Sequence, residues 1–441
     1  MKQQVKIDDI INPFKKNIIV SSDKSISIRC VLISSIAIGK SKIFNLLESD
    51  DVKNALNSLK KLGVKYLKKK NYFEIYGVGL NGFKYKKNTI LNAGNSGTLA
   101  RCILGLCSGT TKKIKLVGDR SLSKRDFLRV IRPLKLFGVN INSKKGILPL
   151  TFKGTNLLRP ISYIENKGSA QIKTCIILSA INCSGITKIK AKKSRNHTEL
   201  FLKNLNYPIK IKKLKNYDLI HVEGKKNIRS FDYKVPGDIS SASFFIVLTL
   251  LSKNSELLIK NVNVNPSRIG IIQILNKMNA KIKILNKKIY KGEHIGDIKI
   301  KSCKRFKSIN CPEKLNSSAI DEFLLIFLIA AKSRGVSIFK NLSELNKKES
   351  PRLDLAINFL KMIGIKTFKI NDDVKIFGNP YLDLKKNYHI KNFLKDHRIF
   401  MMSVIAALTL GGNWKIDDKD SIKTSFPNFL KLIEKLGGKI K

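Results

Sequence analysis

The chain has 441 residues, 43% of them hydrophobic, which suffices for two domains with cores of their own. Its longest apolar runs are too short to cross a bilayer, so no membrane segment or membrane partner is expected. The formal net charge of +53 is dispersed, mostly as lysine, without the aromatic-rich basic patches of a nucleic-acid-binding protein, which leaves such a protein only as an alternative reading.

Taken in chain order, six short polar heads each lead into an apolar stretch of helical length. They are DKSISIR from Asp23, GNSGTLAR from Gly94, GSAQIK from Gly168, GDISSAS from Gly237, AIDEF from Ala319 and KDHRIF from Lys395. A first helical turn exposes unpaired backbone N–H groups and the positive end of the dipole, so six such starts are six potential anion sites. A second set of helices ends LKKLGV, LKLFGV, LKNLNY, LNKMNA, LKMIGI and IEKLGG, which puts Gly63, Gly138, Asn206, Asn279, Gly364 and Gly437 at the left-handed cap before a strand. The caps recur at the interval of a small α/β module, so the chain reads as six modules.

One helix of each module is apolar nearly all round and belongs inside; the other is amphipathic. The expected fold is α/β, with two domains of three modules each, buried helices inside and sheets outside. The first domain is expected to span 21–233 and the second 1–20 plus 234–441, with Val5–Ile7 pairing into the second and the ligand cleft between them. MKQQVKIDDI has no secretory pattern, so a cytoplasmic location is expected. Seven cysteines without paired close spacing argue against a disulfide framework and against zinc.

Only 14 of the 85 basic residues are arginine, yet Arg29, Arg101 and Arg398 fall in these heads, and Arg125, Arg195 and Arg352 in the further polar segments SKR, SRNHTE and LNKKESPR. Their planar fork grips carboxylate or phosphate in a way lysine cannot. Lys24, Ser25 and Arg29 form an anion clamp at the first head; Asn95, Gly97, Thr98 and Arg101 sit at the second, with Arg125 downstream. Ser169 and Gln171 offer neutral hydrogen bonds at the third, with Lys173 behind. His197 and Glu199, two apart, do not share a helical face, which disfavours a metal and favours a loop bonding network. Asp321 and Glu322 precede an apolar run that would desolvate a carboxylate toward general-base duty. Lys348, Glu349 and Arg352 follow, Lys348 and Arg352 on one helical face, and then His397 and Arg398. Carboxylates among Lys and Arg suit proton transfer on a substrate dense with phosphate and carboxylate.

In order along the chain, DKSIS, LLESDD, GNSGT, GDRSLSKR, SAQIK, SRNHTE, VPGDISSASFF, NPSR, IDEF, KES, DHR and DDKDSIKTSFP closely resemble the 5-enolpyruvylshikimate-3-phosphate synthase family of enolpyruvyl transferases. The resemblance implies two domains of three βαβαββ modules, an inside-out α/β barrel. It implies transfer of the enolpyruvyl group of phosphoenolpyruvate to the 5-hydroxyl of shikimate 3-phosphate, with release of phosphate, in the shikimate pathway. No cofactor and no metal are implied, and the chain is expected to act as a monomer.

By the same resemblance Asp321, Glu349 and Lys24 are catalytic. Lys24, Ser25, Arg29, Ser169, Ala170, Gln171, Asp321 and Lys348 bind shikimate 3-phosphate; Lys24, Gly97, Arg125, Gln171, Arg352 and Arg398 bind phosphoenolpyruvate. Head four has no assigned substrate contact and is expected to be a structural cap. Ser21–Ser22, Pro351 and Thr424 depart from the family pattern, Thr424 standing beside Lys423 where some members have a lysine in the site. A sister family, which uses UDP-N-acetylglucosamine, is similar in carrying a loop cysteine in its first domain; residues 116–132 contain none.

Overall fold

The computed structural model describes residues 3–441. The chain forms two compact units, one of Met1–Ser21, Pro236–Ile289 and His294–Lys441, the other of Ser22–Val235 and Tyr290–Glu293. Among the described residues each unit holds three small sheets built on one plan, a parallel pair extended by antiparallel strands. In the second module Thr89–Asn92 runs parallel to Ile114–Val117, and Leu150–Lys153 and Asn140–Ser143 continue the sheet antiparallel. The helix Gly97–Leu106 connects the parallel pair.

Three modules are completed by distant segments, Lys15–Ile18 lying parallel to Glu256–Asn263 in the fourth. The strands Ile228–Arg229 and Asp232–Lys234 supply the parallel partner of Ala37–Phe44 in the first module. Val5–Ile7 adds antiparallel to Gly411–Ile416 in the sixth.

The heads lead into the helices Lys24–Ser35, Gly97–Leu106 and Ala170–Asn182 of one unit, and Ile239–Leu251, Phe323–Ala331 and His397–Leu410 of the other. Within each unit these helices pack on one another, with the sheets outside them, the inside-out α/β arrangement. No residue of Phe323–Ala331 is more than 2% exposed, so every side must be apolar. Each fully buried Leu, Ile or Phe contributes about 1.5–3 kcal/mol.

The amphipathic helices end alike. Gly63, Gly138, Asn206, Asn279, Gly364 and Gly437 all have positive φ, from 55° to 101°. The following N–H reaches back in every case, Val64 to Leu59, Val139 to Leu134, Tyr207 to Leu202, Ala280 to Leu275, Ile365 to Leu360 and Gly438 to Ile433, the Schellman closure of the last turn. The heads share a start: Asp23, Ser96, Ser169, Asp238 and Asp396 each accept a first-turn N–H of their own helix. The fifth departs, because Glu322 holds the N-cap position of Phe323–Ala331 without a capping bond.

Candidate active site

In the unit of residues 22–235, three helix starts supply the polar groups. Lys24 Nζ pairs with Asp51 Oδ2 at 2.9 Å. Arg29, 3% exposed, donates through Nε to Thr198 Oγ1 (2.7 Å), through Nη2 to Thr174 Oγ1 (2.9 Å) and through Nη1 to the Ser25 carbonyl (2.9 Å). All three acceptors are neutral. A buried cation whose hydrogen-bond acceptors among the described residues are neutral oxygens is costly to desolvate, and an anion placed beside it would offset that cost.

Gln171 joins the second and third heads: its Nε2 donates to Thr98 Oγ1 at 3.1 Å, and its Oε1 accepts from Arg101. Arg101 lies 5.1 Å from the Phe127 ring centre and also donates to the Asp126 carbonyl. Burial, reinforced by Arg129 and Arg125, pushes its guanidinium down to about 10. Arg125 Nη2 donates to Asn95 Oδ1 at 3.0 Å. A Cβ on residue 97 would lie 2.9 Å from Arg125 Nη1 and 3.1 Å from Arg101 Nη1, so glycine there lets both guanidiniums close over the helix start. Ser169 caps the third helix, and Ala170 and Gln171 form its first turn.

Lys173 is an internal pair rather than part of this surface, its Nζ 2.6 Å from Glu199 Oε1 with both side chains buried. His197 opens a helix, not a loop, and its Nδ1 meets Glu293 Oε1 at 2.6 Å. His197 and Glu199 thus turn to different partners. Among the described residues no group of three or more His, Cys, Asp or Glu is placed to hold a metal ion.

In the other unit the chemistry gathers at Asp321. Its Oδ1 lies 3.3 Å from Lys348 Nζ and 3.5 Å from Arg352 Nη1, and its Oδ2 3.9 Å from Arg398 Nη2. Three cations therefore face this carboxylate, which sits among Lys and Arg as well as before an apolar helix. Arg398 Nη1 also donates to the Asp321 carbonyl at 2.8 Å. Arg352, 1% exposed, pairs with Glu349 through Nη2 and is gripped by Asp396 from below, Nε to Oδ2 at 2.9 Å and Nη2 to Oδ1 at 3.4 Å. Ser350 Oγ donates to the same Oδ2 at 2.7 Å. Burial alone would raise the Asp396 carboxyl, but Arg352 and His397 hold it below its ordinary value.

The expected shared helical face of Lys348 and Arg352 is a correction. Pro351 occupies the N-cap of Arg352–Met362, so the helix starts at Arg352 and Lys348 precedes it in extended conformation. Proline and its steric demand on the residue before it set that boundary. The two cations still converge on Asp321, through the turn rather than along a helix. Head four is also more than a cap: Ser240 Oγ donates to Glu322 Oε1. Asp396 was missed in the sequence because an Asp before a helix reads as an ordinary cap. Lys423 forms an exposed pair with Asp420 at 2.8 Å, and Thr424 Oγ1 donates to the Ser421 carbonyl at 2.9 Å.

Residues 9–433 match the family model described as EPSP synthase (3-phosphoshikimate 1-carboxyvinyltransferase). Proteins of that name from Vesicomyosocius okutanii and Ruthia magnifica are similar to this chain. The first is 40% identical over 97% of this chain and 97% of its own length. The second is 39% identical over 95% and 94%. The solved EPSP synthase from Acinetobacter baumannii is similar across 100% of this chain and 99% of its own, with a TM-score of 0.86 and 33% identity. The enolpyruvyl transferase NikO from Streptomyces tendae shares the fold, at a TM-score of 0.74 and 13% identity over 100% of this chain and 98% of that one.

Proposed function

Because this chain belongs to the EPSP synthase (3-phosphoshikimate 1-carboxyvinyltransferase) family, we propose that it transfers the enolpyruvyl group of phosphoenolpyruvate to the 5-hydroxyl of shikimate 3-phosphate, releasing phosphate on the route to chorismate and the aromatic amino acids. The observation that carries the assignment of roles is the Asp321 carboxylate faced by Lys348, Arg352 and Arg398. A base held among cations can take a proton while neighbouring guanidiniums stabilise the anionic groups of the substrate.

In this reading Asp321 accepts the 5-hydroxyl proton as that oxygen bonds to C2 of phosphoenolpyruvate, and Glu349 gives a proton to the methylene carbon. The tetrahedral adduct then loses phosphate as its C–O bond breaks and the methyl carbon returns a proton, re-forming the double bond. Lys24 stabilises charge at the reacting centre. Ser25, Arg29, Ser169, Ala170, Gln171 and Lys348 hold shikimate 3-phosphate, Arg29 being the buried cation whose acceptors are all neutral. Gly97, Arg125, Gln171, Arg352 and Arg398 receive phosphoenolpyruvate. The protein works as a cytoplasmic monomer without metal or organic cofactor.

Purified protein supplied with both substrates should release phosphate, and should release none with UDP-N-acetylglucosamine in place of shikimate 3-phosphate. Turnover only with the nucleotide sugar would replace this reading with that of the sister family. Sedimentation at working concentration checks the monomer.

A further inference from the structure

Two arginines assigned to phosphoenolpyruvate are each backed by a carboxylate that accepts from a serine, Arg352 through hydrogen bonds and Arg398 through a longer ion pair. Arg352 is held by Asp396, which accepts from Ser350. Arg398 Nη1 lies 3.8 Å from Glu322 Oε1, and that oxygen accepts from Ser240 Oγ. Behind Ser240 stands Arg268, 1% exposed, whose Nη2 donates to Ser240 Oγ at 2.9 Å and to Asp238 Oδ1 at 3.0 Å. Hydrogen bonds thus link Arg268 through Ser240 to Glu322, a longer ion pair of 3.8 Å joins Glu322 to Arg398, and Arg398 in turn donates to the Asp321 carbonyl.

Glu322 is where the six-fold pattern breaks. The other five heads spend a side-chain oxygen on capping their own helix, whereas Glu322, 1% exposed, makes no capping bond and turns its carboxylate to Ser240 and Arg398. A buried carboxylate survives only where cations and donors satisfy it, so its place fixes the place of Arg398. We propose that Glu322, supported by Ser240 and Arg268, is a positioning residue that aims Arg398 at phosphoenolpyruvate, an inference that rests on the function proposed above. Glu322 itself touches no substrate.

The test is steady-state kinetics of Glu322→Gln, Ser240→Ala, their double variant and Arg398→Ala, each beside a thermal melt. Loss of one charge-assisted contact corresponds to about a tenfold change. Glu322→Gln should therefore raise KM for phosphoenolpyruvate about tenfold and leave KM for shikimate 3-phosphate within about twofold. Ser240→Ala should move the same constant in the same direction by less, and the double variant should be no worse than about Glu322→Gln alone, because both act on one path. Equal changes in both KM values, or a lowered Tm with unaltered kinetics, would overturn the proposal. Wild-type protein that releases no phosphate would overturn the functional reading itself. Active wild type with a damaged Arg398→Ala and a normal Glu322→Gln would overturn this inference alone.

Discussion

Asp396→Asn is the perturbation that most directly weighs the support beneath Arg352. The carboxylate is fully buried, meets Arg352 at 2.9 and 3.4 Å, accepts from Ser350 and caps its helix by accepting the Arg398 N–H at 2.9 Å. Asparagine keeps an oxygen for the cap but leaves the Arg352 charge with only Glu349 and the longer contact to Asp321. Breaking a buried pair costs about 3–5 kcal/mol, and the residual partners favour the lower end, about 3 kcal/mol. Asp396→Ala should lose about 1 kcal/mol more with the cap. For a unit of this size that is a fall in Tm of about 6–12 °C for the asparagine variant, read by thermal melt at pH 7.

The acid limb gives the sign. A carboxyl held below its ordinary value contributes stability above an unfolded pKa of about 3.9, and loses it as pH falls through the depressed folded value. The gap between wild type and Asp396→Asn should therefore be full at neutral pH and shrink below about pH 4. A variant within about 1 kcal/mol of wild type at pH 7, or a gap that widens on acidification, would refute the reasoning.

Gly97→Ala places a methyl against the ends of Arg125 and Arg101, which can move aside, so Tm should change little while KM for phosphoenolpyruvate rises several-fold in an initial-rate assay. Arg29→Met removes a buried cation, while Thr174 and Thr198 remain bonded to each other at 2.7 Å; Tm should hold or rise as KM for shikimate 3-phosphate climbs by about a hundredfold. Dialysis against a chelator should leave phosphate release unaltered, and activity restored only by an added divalent ion would contradict the metal-free reading.

How much of this was legible in the sequence differs by element. The cap residues were readable because an αL residue after an amphipathic helix admits little besides glycine and asparagine, and Asn206 and Asn279 show it as clearly as the glycines. The pairing of Ile228–Arg229 with Ala37–Ile38 was not, since nothing local in a two-residue strand names a partner so far along the chain. At the site, residue types that face one another across modules followed from scarce arginine and clustered carboxylates. The roles of Asp396 and Glu322 did not, because an acid before a helix looks the same whether it caps, as Asp396 also does, or turns inward, as Glu322 does.

The measurement that bears most directly on the central claim is phosphate release from phosphoenolpyruvate and shikimate 3-phosphate by wild type and Asp321→Asn, which keeps the shape of the turn but not the base. Wild type should release one phosphate for each shikimate 3-phosphate consumed, and the variant should lose about 10²–10⁴-fold in kcat, the span a positioned general base supplies. Equal rates in the two proteins, or no release from either, would contradict it.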